Sequence, residues 1–129
     1  TYSLSNVEIS GVGFGEGIYG VSYGDSTLME VDGLDVTGTA DDGLYLYNID
    51  AQLSDLDISE SGDGGMYFSE NTVELDTVFV HDNEGYGVVC SGTVDFDTCD
   101  DFVLVRNDAG NNWGCAPSCA GADSSEAGD

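Results

Sequence analysis

Short segments with an apolar–polar–apolar pattern recur along the chain at a nearly constant interval. Leu34-Asp-Val36 is followed 22 residues later by Leu56-Asp-Ile58, and after a further 22 residues by Val78-Phe-Val80. Val7-Glu-Ile9 precedes this column by 27 residues, and Val103-Leu-Val105 follows it by 25. Alternation with period two is the signature of a β-strand with one buried face. The pattern predicts a first column of stacked strands.

Two further columns repeat with nearly the same step. The second column starts each segment with glycine or asparagine, and the third is apolar–polar–apolar like the first. The segments of the second column are Gly20–Tyr23, Gly43–Leu46, Gly65–Phe68, Gly87–Cys90 and Asn112–Cys115. Those of the third are Met29–Val31, Ala51–Leu53, Val73–Leu75 and Val94–Phe96. Successive segments lie 21 to 25 residues apart.

Three strand columns with one common step predict a coil. Each turn of the coil, or rung, contributes three short strands joined by turns of Gly, Asp, Asn and Ser. One rung cannot bury its own apolar face, so rungs stack in parallel around a continuous core. The sequence thus predicts an all-β fold, a right-handed parallel β-helix (β-solenoid) of about five rungs with about 22 residues each. The predicted inward residues of one rung are Leu34, Val36, Leu44, Leu46, Ala51 and Leu53.

The repeats divide the chain into two parts. Residues 1–115 form the predicted β-helix, and residues 116–129 are an acidic Gly/Ala/Ser tail typical of a linker, anchored at its start by a disulfide. A sandwich of antiparallel hairpins is the alternative for regular short strands, but it does not explain the common step. No amphipathic helix precedes the first strand, which predicts an open solenoid end that meets a partner or continues a longer coil.

The repeat unit resembles that of a known superfamily. The segments LDVTGTADDGLYLYN, LDISESGDGGMYFSEN and VFVHDNEGYGVVCSG are similar to the repeats of pectate-lyase-like parallel β-helices: a strand, a polar turn, then glycine with an apolar–x–apolar triplet. The similarity extends over about residues 4–115. That superfamily includes polysaccharide lyases, hydrolases, epimerases, phage tailspikes, adhesins and surface proteins, so the resemblance implies a fold rather than one function. It suggests a segment of a bacterial or archaeal extracellular or surface protein.

The net charge of −25, from 26 acidic residues and one basic residue, narrows the choice of partners. Such a charge repels nucleic acid, anionic lipid and acidic polysaccharide. The sequence contains no apolar run of membrane-spanning length, so we expect no membrane insertion. The same charge attracts divalent cations and suits a salty environment, where salt screens the self-repulsion. Acidic faces that are simply solvated are the plainer interpretation.

Four cysteines lie in the last 40 residues of the chain. Their even number, without zinc-finger spacing, predicts disulfides formed in an oxidising compartment, and therefore a secreted or cell-surface protein. Cys90 and Cys115 occupy equivalent positions in adjacent rungs, about 4.8 Å apart, which suits a disulfide. Cys99 would then pair with Cys119. The alternative joins Cys90 to Cys99 and Cys115 to Cys119.

Candidate catalytic residues are few. His81 and Arg106 follow Val80 and Val105, so we expect them to stack on neighbouring rungs, with Asp82 and Asp108 close by. Catalysis needs a positioned acid, base or nucleophile, and the sequence has no Ser/His/Asp constellation, zinc motif or phosphate-binding loop. The sequence therefore predicts no enzyme and no required cofactor, with His81 and Arg106 as the only catalytic candidates.

Carboxylates are the candidate metal ligands. Glu8, Asp35 and Asp57 point outward from the first column, and Asp41 and Asp42 form an acidic turn. Like charges one rung apart repel each other, and a calcium ion bridging them would remove that cost. Calcium is therefore the one cofactor that this sequence suggests.

Two tyrosines form a candidate binding face. Tyr45 and Tyr67 stack outward on the second column, and Ser22 and Val89 continue the row. An aromatic strip on a flat sheet can contact a protein partner or a glycan, although cross-strand stabilisation is an equally good interpretation. Taken together, the sequence predicts a non-enzymatic extracellular structural, adhesive or assembly-associated β-solenoid. The alternative is a fragment of a carbohydrate-active β-helix, either a lyase, an epimerase or a glycan-binding module.

Overall fold

The computed structural model describes residues 1–25 and 27–115, and all regular elements in this part are β-strands. The predictions for Cys119 and for the tail over residues 116–129 lie outside it. The eight strands are β1 (Tyr2–Ser10), β2 (Ile18–Val21), β3 (Thr27–Thr37), β4 (Leu44–Tyr47), β5 (Ile49–Ser59), β6 (Met66–His81), β7 (Tyr86–Val105) and β8 (Gly110–Trp113).

Every strand pair among the described residues is parallel, which confirms the β-solenoid and rules out the antiparallel sandwich. One series of paired strands runs β1–β3–β5–β6–β7, and the other runs β2–β4–β6–β7–β8. The long strands β6 and β7 belong to both because each bends around corners of the coil. Equivalent positions lie about 22 residues apart, and about four full turns of the chain place five stacked strand segments in the first column, one for each rung.

The predicted first column is confirmed through its first four rungs. Val7 pairs with Leu34, Leu34 with Leu56, and Leu56 with Val78. The inward residues predicted for one rung are all buried, and equivalent residues above and below extend the same core. Stacking therefore gives each rung the second apolar surface that it lacks alone.

The predicted register of the fifth rung is wrong by one residue in the first column. Phe102 and Leu104, rather than Val103 and Val105, lie beneath Val78 and Val80. Phe102 and Leu104 are buried and Val103 is exposed. Residues 102–105 form a continuous apolar run, so both alternating registers fit the pattern, and a shift of one residue exchanges the two faces. The register observed buries the larger side chains.

Two other segments are also corrected. In the second column the first rung is Ile18–Val21, which pairs with Leu44–Tyr47, and not Gly20–Tyr23. In the third column Phe96, rather than Val94, lies beneath Val73, and a register shift follows at once. A shift of this kind is a bulge, in which one strand carries an extra residue. Extra residues therefore do not all leave the coil as loops.

Residues in the left-handed conformation recur at three corner positions of the coil. Each changes the direction of the chain, at a cost of about 1–3 kcal/mol when it is not glycine, and at the corner between the first and second columns it opens a longer turn, such as residues 38–43. Equivalent corners stack from rung to rung, and many of them carry ordinary side chains. The three stacks are Asn6, Gly33, Asp55, Thr77 and Asp101; Gly11, Gly38, Glu60, Asp82 and Arg106; and Asn48, Glu70 and Gly92.

Buried polar residues form a ladder beside one of these corners. The Ser61 backbone N–H donates to Asn83 Oδ1 at 2.9 Å, and Asn83 Nδ2 donates to Asn107 Oδ1 at 2.8 Å. Asn107 Nδ2 in turn donates to the Val80 carbonyl at 3.2 Å. Because buried amides need hydrogen-bond partners, this ladder helps to define which residues face each other between rungs.

Glycines at the start of the second column are required by close packing. A Cβ at Gly65 would overlap Val80 Cγ1, and one at Gly43 would overlap Ile58 Cγ2. These atoms belong to first-column residues of the next rung along the chain, so the glycine lets adjacent rungs pack closely. The glycine of the repeat motif is therefore a packing feature.

We expect Gly65→Ala to destabilise the protein by about 1–3 kcal/mol, because the added methyl group overfills the core. Urea unfolding measures the change. Gly13→Ala is the matched control, since a Cβ there meets nothing within 4 Å, and its effect should stay within about 0.5 kcal/mol. Equal midpoints for the two variants would contradict the packing role.

Candidate functional site

The two candidate catalytic residues lie in one cluster of charged side chains at a corner of the coil. His81 Nε2 is 2.8 Å from Asp57 Oδ1, and His81 Nδ1 is 2.6 Å from Asp82 Oδ2. Arg106 donates from Nε and Nη2 to the two carboxylate oxygens of Asp82, each at 2.8 Å. These four residues, here called the His81 cluster, connect three successive rungs.

The arrangement differs from the prediction because of the register of the fifth rung. Val105 pairs with His81, so Arg106 lies beneath Asp82 and does not stack on His81. The result is a bidentate ion pair, the strongest geometry for arginine with a carboxylate. Hydrogen bonds from Arg106 and then His81 hold the pKa of Asp82 well below its usual range. Asp108, also predicted nearby, donates its backbone N–H to the Asn83 carbonyl.

The His81 cluster is arranged to join rungs. Both ring nitrogens of His81 face carboxylates, and the ring stacks on Phe79 with centroids 4.1 Å apart. A general base needs a nitrogen within reach of the proton it removes, and here neither nitrogen points to open solvent. Arg106 and Asp82 are both well exposed, so this side of the cluster lies at the surface of the coil.

The predicted calcium ligands form a row without converging. Glu8, Asp35 and Asp57 stack in register on the outer face of the first column, as expected. Asp57 is hydrogen-bonded to His81, and Asp35 accepts a hydrogen bond from Thr37 Oγ1 at 3.2 Å. Within residues 1–25 and 27–115 no three His, Cys, Asp or Glu side chains are placed to hold a metal ion. Calcium binding stays a prediction.

Asp42, from the predicted acidic turn, is electrostatically unusual. Partial burial, followed by the negative charge of Asp63, raises the pKa of Asp42 to about 6. Glu16 and Asp41 raise the pKa further, while the hydrogen bond from the Gly64 backbone N–H at 2.9 Å lowers it. The folded protein therefore carries a carboxylate in an environment that disfavours its charge.

We expect Asp42→Asn to stabilise the protein at pH 7 by about 1 kcal/mol, a value reduced for solvent screening. The asparagine keeps an oxygen that can accept the Gly64 N–H bond. Folded Asp42 takes up its proton near pH 6 and an unfolded aspartate near 4. The wild type therefore loses stability relative to the variant as the pH rises from about 4 to 6.

Thermal melts of both proteins between pH 4 and 7 measure this difference. Asp41→Asn is the control, because it makes the same change in net charge at an exposed neighbour. A gain for Asp42→Asn that does not change with pH, or that equals the gain for Asp41→Asn, would show that general charge reduction is the cause.

Three tyrosines stack on the outer face of the second column. The ring centroids of Tyr19 and Tyr45 are 4.9 Å apart and those of Tyr45 and Tyr67 are 4.6 Å apart, with interplanar angles of 12° and 4°. Tyr19 takes the place predicted for Ser22, because the first rung of this column begins earlier. Val89 continues the row as predicted, and Trp113 follows it. We call Tyr19, Tyr45 and Tyr67 the tyrosine ladder.

The stacking determines what the tyrosine ladder can contact. Both faces of the Tyr45 ring are covered by its neighbours, so this ring presents its edge and hydroxyl to the outside. A sugar ring or a cation binds to the open face of an aromatic ring. Stacking of a glycan along the whole ladder is therefore disfavoured, and mutual stabilisation of the rungs is the first role of the rings.

A groove on the third column was not identified from the sequence. It has a volume of about 490 Å³ and runs across all five rungs. Hydrogen bonds join its side chains along the coil axis: Ser3 to Glu30 at 3.3 Å, Gln52 to Glu74 at 3.4 Å and Ser54 to Asp32 at 3.3 Å. In the sequence, this groove could have been recognised from the acidic, hydroxyl and amide residues that alternate at the outward positions of the third column.

The predicted disulfide between Cys90 and Cys115 is present, but the register predicted for the fifth rung of the second column is wrong by one residue, because Asn112 pairs with Val88 and not with Gly87. Cys90 and Cys115 are bonded, with Cα atoms 4.8 Å apart. The alternative pairing of Cys90 with Cys99 is wrong. Cys99 is also disulfide-bonded, and its predicted partner Cys119 lies outside the described residues.

Comparisons with protein-family models, with curated proteins and with solved structures gave no match. The parallel β-solenoid is therefore established by the strand register alone. A search for membrane spans in the part of the chain covered by the structure found no helix with the necessary length and apolar character.

Proposed function

We propose that this chain is a non-enzymatic β-solenoid that acts outside the cell as a structural, adhesive or assembly-associated element. The observation that carries the proposal is that the side chains best suited to catalysis are engaged in contacts between rungs. The one histidine and the one arginine of the chain are both engaged in contacts that join rungs. Such contacts suit a stiff rod or a presented surface better than a catalytic site.

The proposed extracellular location is supported by the Cys90–Cys115 disulfide, because structural disulfides persist in oxidising compartments. The proposed bacterial or archaeal origin, and membership of the pectate-lyase-like superfamily, depend on the repeat motif of strand, polar turn and glycine. The net charge of −25 supports a surface that faces high salt.

The absence of enzymatic activity is tested with the purified chain and a panel of neutral and acidic polysaccharides. We expect neither new reducing ends nor unsaturated lyase products, with or without added calcium. If turnover is seen, His81→Ala and Arg106→Ala decide whether the His81 cluster carries it. Turnover by the wild type that either variant loses would overturn the proposal in favour of the carbohydrate-active alternative.

Glycan binding without catalysis is the second candidate, and the groove on the third column favours it. A polymer that runs parallel to the coil axis would meet hydroxyl, amide and carboxylate groups in every rung. Calorimetry with soluble neutral glucans tests this candidate. Binding that is weakened by Gln52→Ala/Ser54→Ala, but not by Tyr45→Phe, would place the glycan in the groove.

Calcium stabilisation and self-assembly are separate parts of the proposal. Thermal melts with calcium and with a chelator test the first, and a shift that Asp35→Asn removes would support the carboxylate row on the first column. Sedimentation over a range of protein concentrations tests assembly through a solenoid end. A monomer at all concentrations and salt levels would contradict self-assembly through a solenoid end.

A further inference from the structure

We propose that the tyrosine ladder is a site of oxidative cross-linking, in which Tyr45 forms a dityrosine bond with Tyr19 or with Tyr67. This is a covalent modification of the surface, and it does not depend on the structural or adhesive role proposed above. It assigns the ladder a chemistry that follows from the proximity of its phenol rings.

The geometry places the reacting atoms side by side. The Tyr45 and Tyr67 rings are nearly parallel, so equivalent ring carbons are separated by about the centroid distance of 4.6 Å. Tyr19 is 62% exposed, and Tyr45 and Tyr67 are partly exposed, so an oxidant reaches the row from solvent. Rotation of exposed side chains within nanoseconds brings neighbouring ortho carbons into contact.

The reaction balances with a peroxide as the oxidant. Each of two phenols loses one hydrogen atom, an electron with a proton, and becomes a phenoxyl radical. The two radicals couple through a new carbon–carbon bond between ortho positions, and the hydrogen on each ortho carbon moves to the phenolic oxygen. The two abstracted hydrogen atoms reduce one hydrogen peroxide to two waters, a step that a haem peroxidase catalyses.

The ladder is distinguished from the other tyrosines by its contacts. Among residues 1–25 and 27–115 the stacked tyrosine pairs are Tyr19–Tyr45 and Tyr45–Tyr67, and both contain Tyr45. Tyr47 lies two residues away on the same strand and is also exposed, which makes it a matched control.

The cross-link would complement the disulfide of the second column. Cys90–Cys115 joins the fourth and fifth rungs, while the ladder spans the first, second and third rungs. Oxidation would thus add a covalent tie in the part of the column that the Cys90–Cys115 bond does not reach. Both ties form in the same oxidising surroundings that the disulfide indicates.

The test treats the dilute native chain with hydrogen peroxide and a haem peroxidase. We expect dityrosine fluorescence in the monomer fraction and a mass loss of two hydrogen atoms. Peptides cut at Asp and Glu should contain Tyr45 joined to Tyr19 or Tyr67. Tyr45→Phe, and separately Tyr19→Phe/Tyr67→Phe, should reduce the intramolecular product to background, whereas Tyr47→Phe should give the wild-type yield.

Two results would overturn the proposal. One is an intramolecular yield that Tyr45→Phe leaves unchanged. The other is dityrosine confined to covalent dimers, which would show that collisions between molecules, rather than the ladder, bring the phenols together. Because phenylalanine preserves the stacked ring, circular dichroism of each variant should match the wild type, and loss of the product then reports the missing hydroxyl.

Discussion

Phe68→Ala is expected to destabilise the protein by about 3–5 kcal/mol, which is a large part of the 5–15 kcal/mol typical of a folded domain. Phe68 is fully buried in β6, and its ring meets that of Phe96 edge-on with centroids 6.2 Å apart. Phe96 belongs to the strand segment that carries the register shift. Removing the Phe68 ring therefore leaves a cavity where the coil is already irregular.

Guanidinium unfolding followed by far-ultraviolet circular dichroism measures this loss. Phe14→Ala is the matched control, because it removes the same ring from a position that is 88% exposed, and it should change stability by no more than about 0.5 kcal/mol. An equal loss of stability for the two variants would contradict the role of the buried Phe68 ring in joining the second and third columns.

Removal of the Cys90–Cys115 disulfide by Cys90→Ala/Cys115→Ala is expected to cost about 3–4 kcal/mol. The bond closes a loop across 25 residues of sequence separation, and loop-closure entropy of the unfolded chain gives that value. The double variant is preferable to a reducing agent, because Cys99 is also in a disulfide that reduction would break.

Calorimetric and denaturant unfolding of the double variant measure the loss, with the denaturant slope as a second readout. Freeing the unfolded chain increases the surface exposed on unfolding, so the slope should rise along with the fall in midpoint. An unchanged midpoint would show that the fifth rung is held by its strand pairing alone, without help from the disulfide.

Much of the fold was predictable because the middle of the chain repeats with a constant step. Where the step is 22, as from Leu34 to Leu56 to Val78, the predicted and observed registers agree. The Gly of the second column was equally informative, since its lack of a side chain is needed beside Val80 and Ile58. Constant spacing and a required glycine can be recognised in the sequence alone, without knowledge of contacts between distant residues.

The outer rungs were harder to predict because the step changes there. Near Phe102 the apolar run fits two registers, and two register shifts between β6 and β7, one after Ser69 and one after Val73, determine which one is used. At the other end the alternation around Gly20 also fits two registers, and pairing of Ile18 with Leu44 determines the choice. In both cases contacts between distant residues override the local pattern.

For the same reason, the sequence predicted that His81, Arg106 and Asp82 lie together but not how they pair. His81 and Arg106 both contact carboxylates, as predicted, but the one-residue shift in the register of the fifth rung pairs Arg106 with Asp82. Tyr19 was missed as the third ring of the ladder. The buried asparagines recur with the step of the repeat, Asn83 lying 24 residues before Asn107. This spacing was passed over because an Asn at a turn is common in any loop, and only the structure shows that the two side chains are buried and hydrogen-bonded to each other.

The stacked left-handed corners have a consequence for how such a chain can change in length. Because Asp55 and Thr77 turn the backbone in the same way, a 22-residue unit begins and ends with the same direction and position relative to the axis. Duplicating or deleting one whole unit in the middle of the chain would therefore preserve the backbone register on either side of it. The length of such a solenoid is therefore set by the number of its repeat units, and gene duplication can change that number without a new core design.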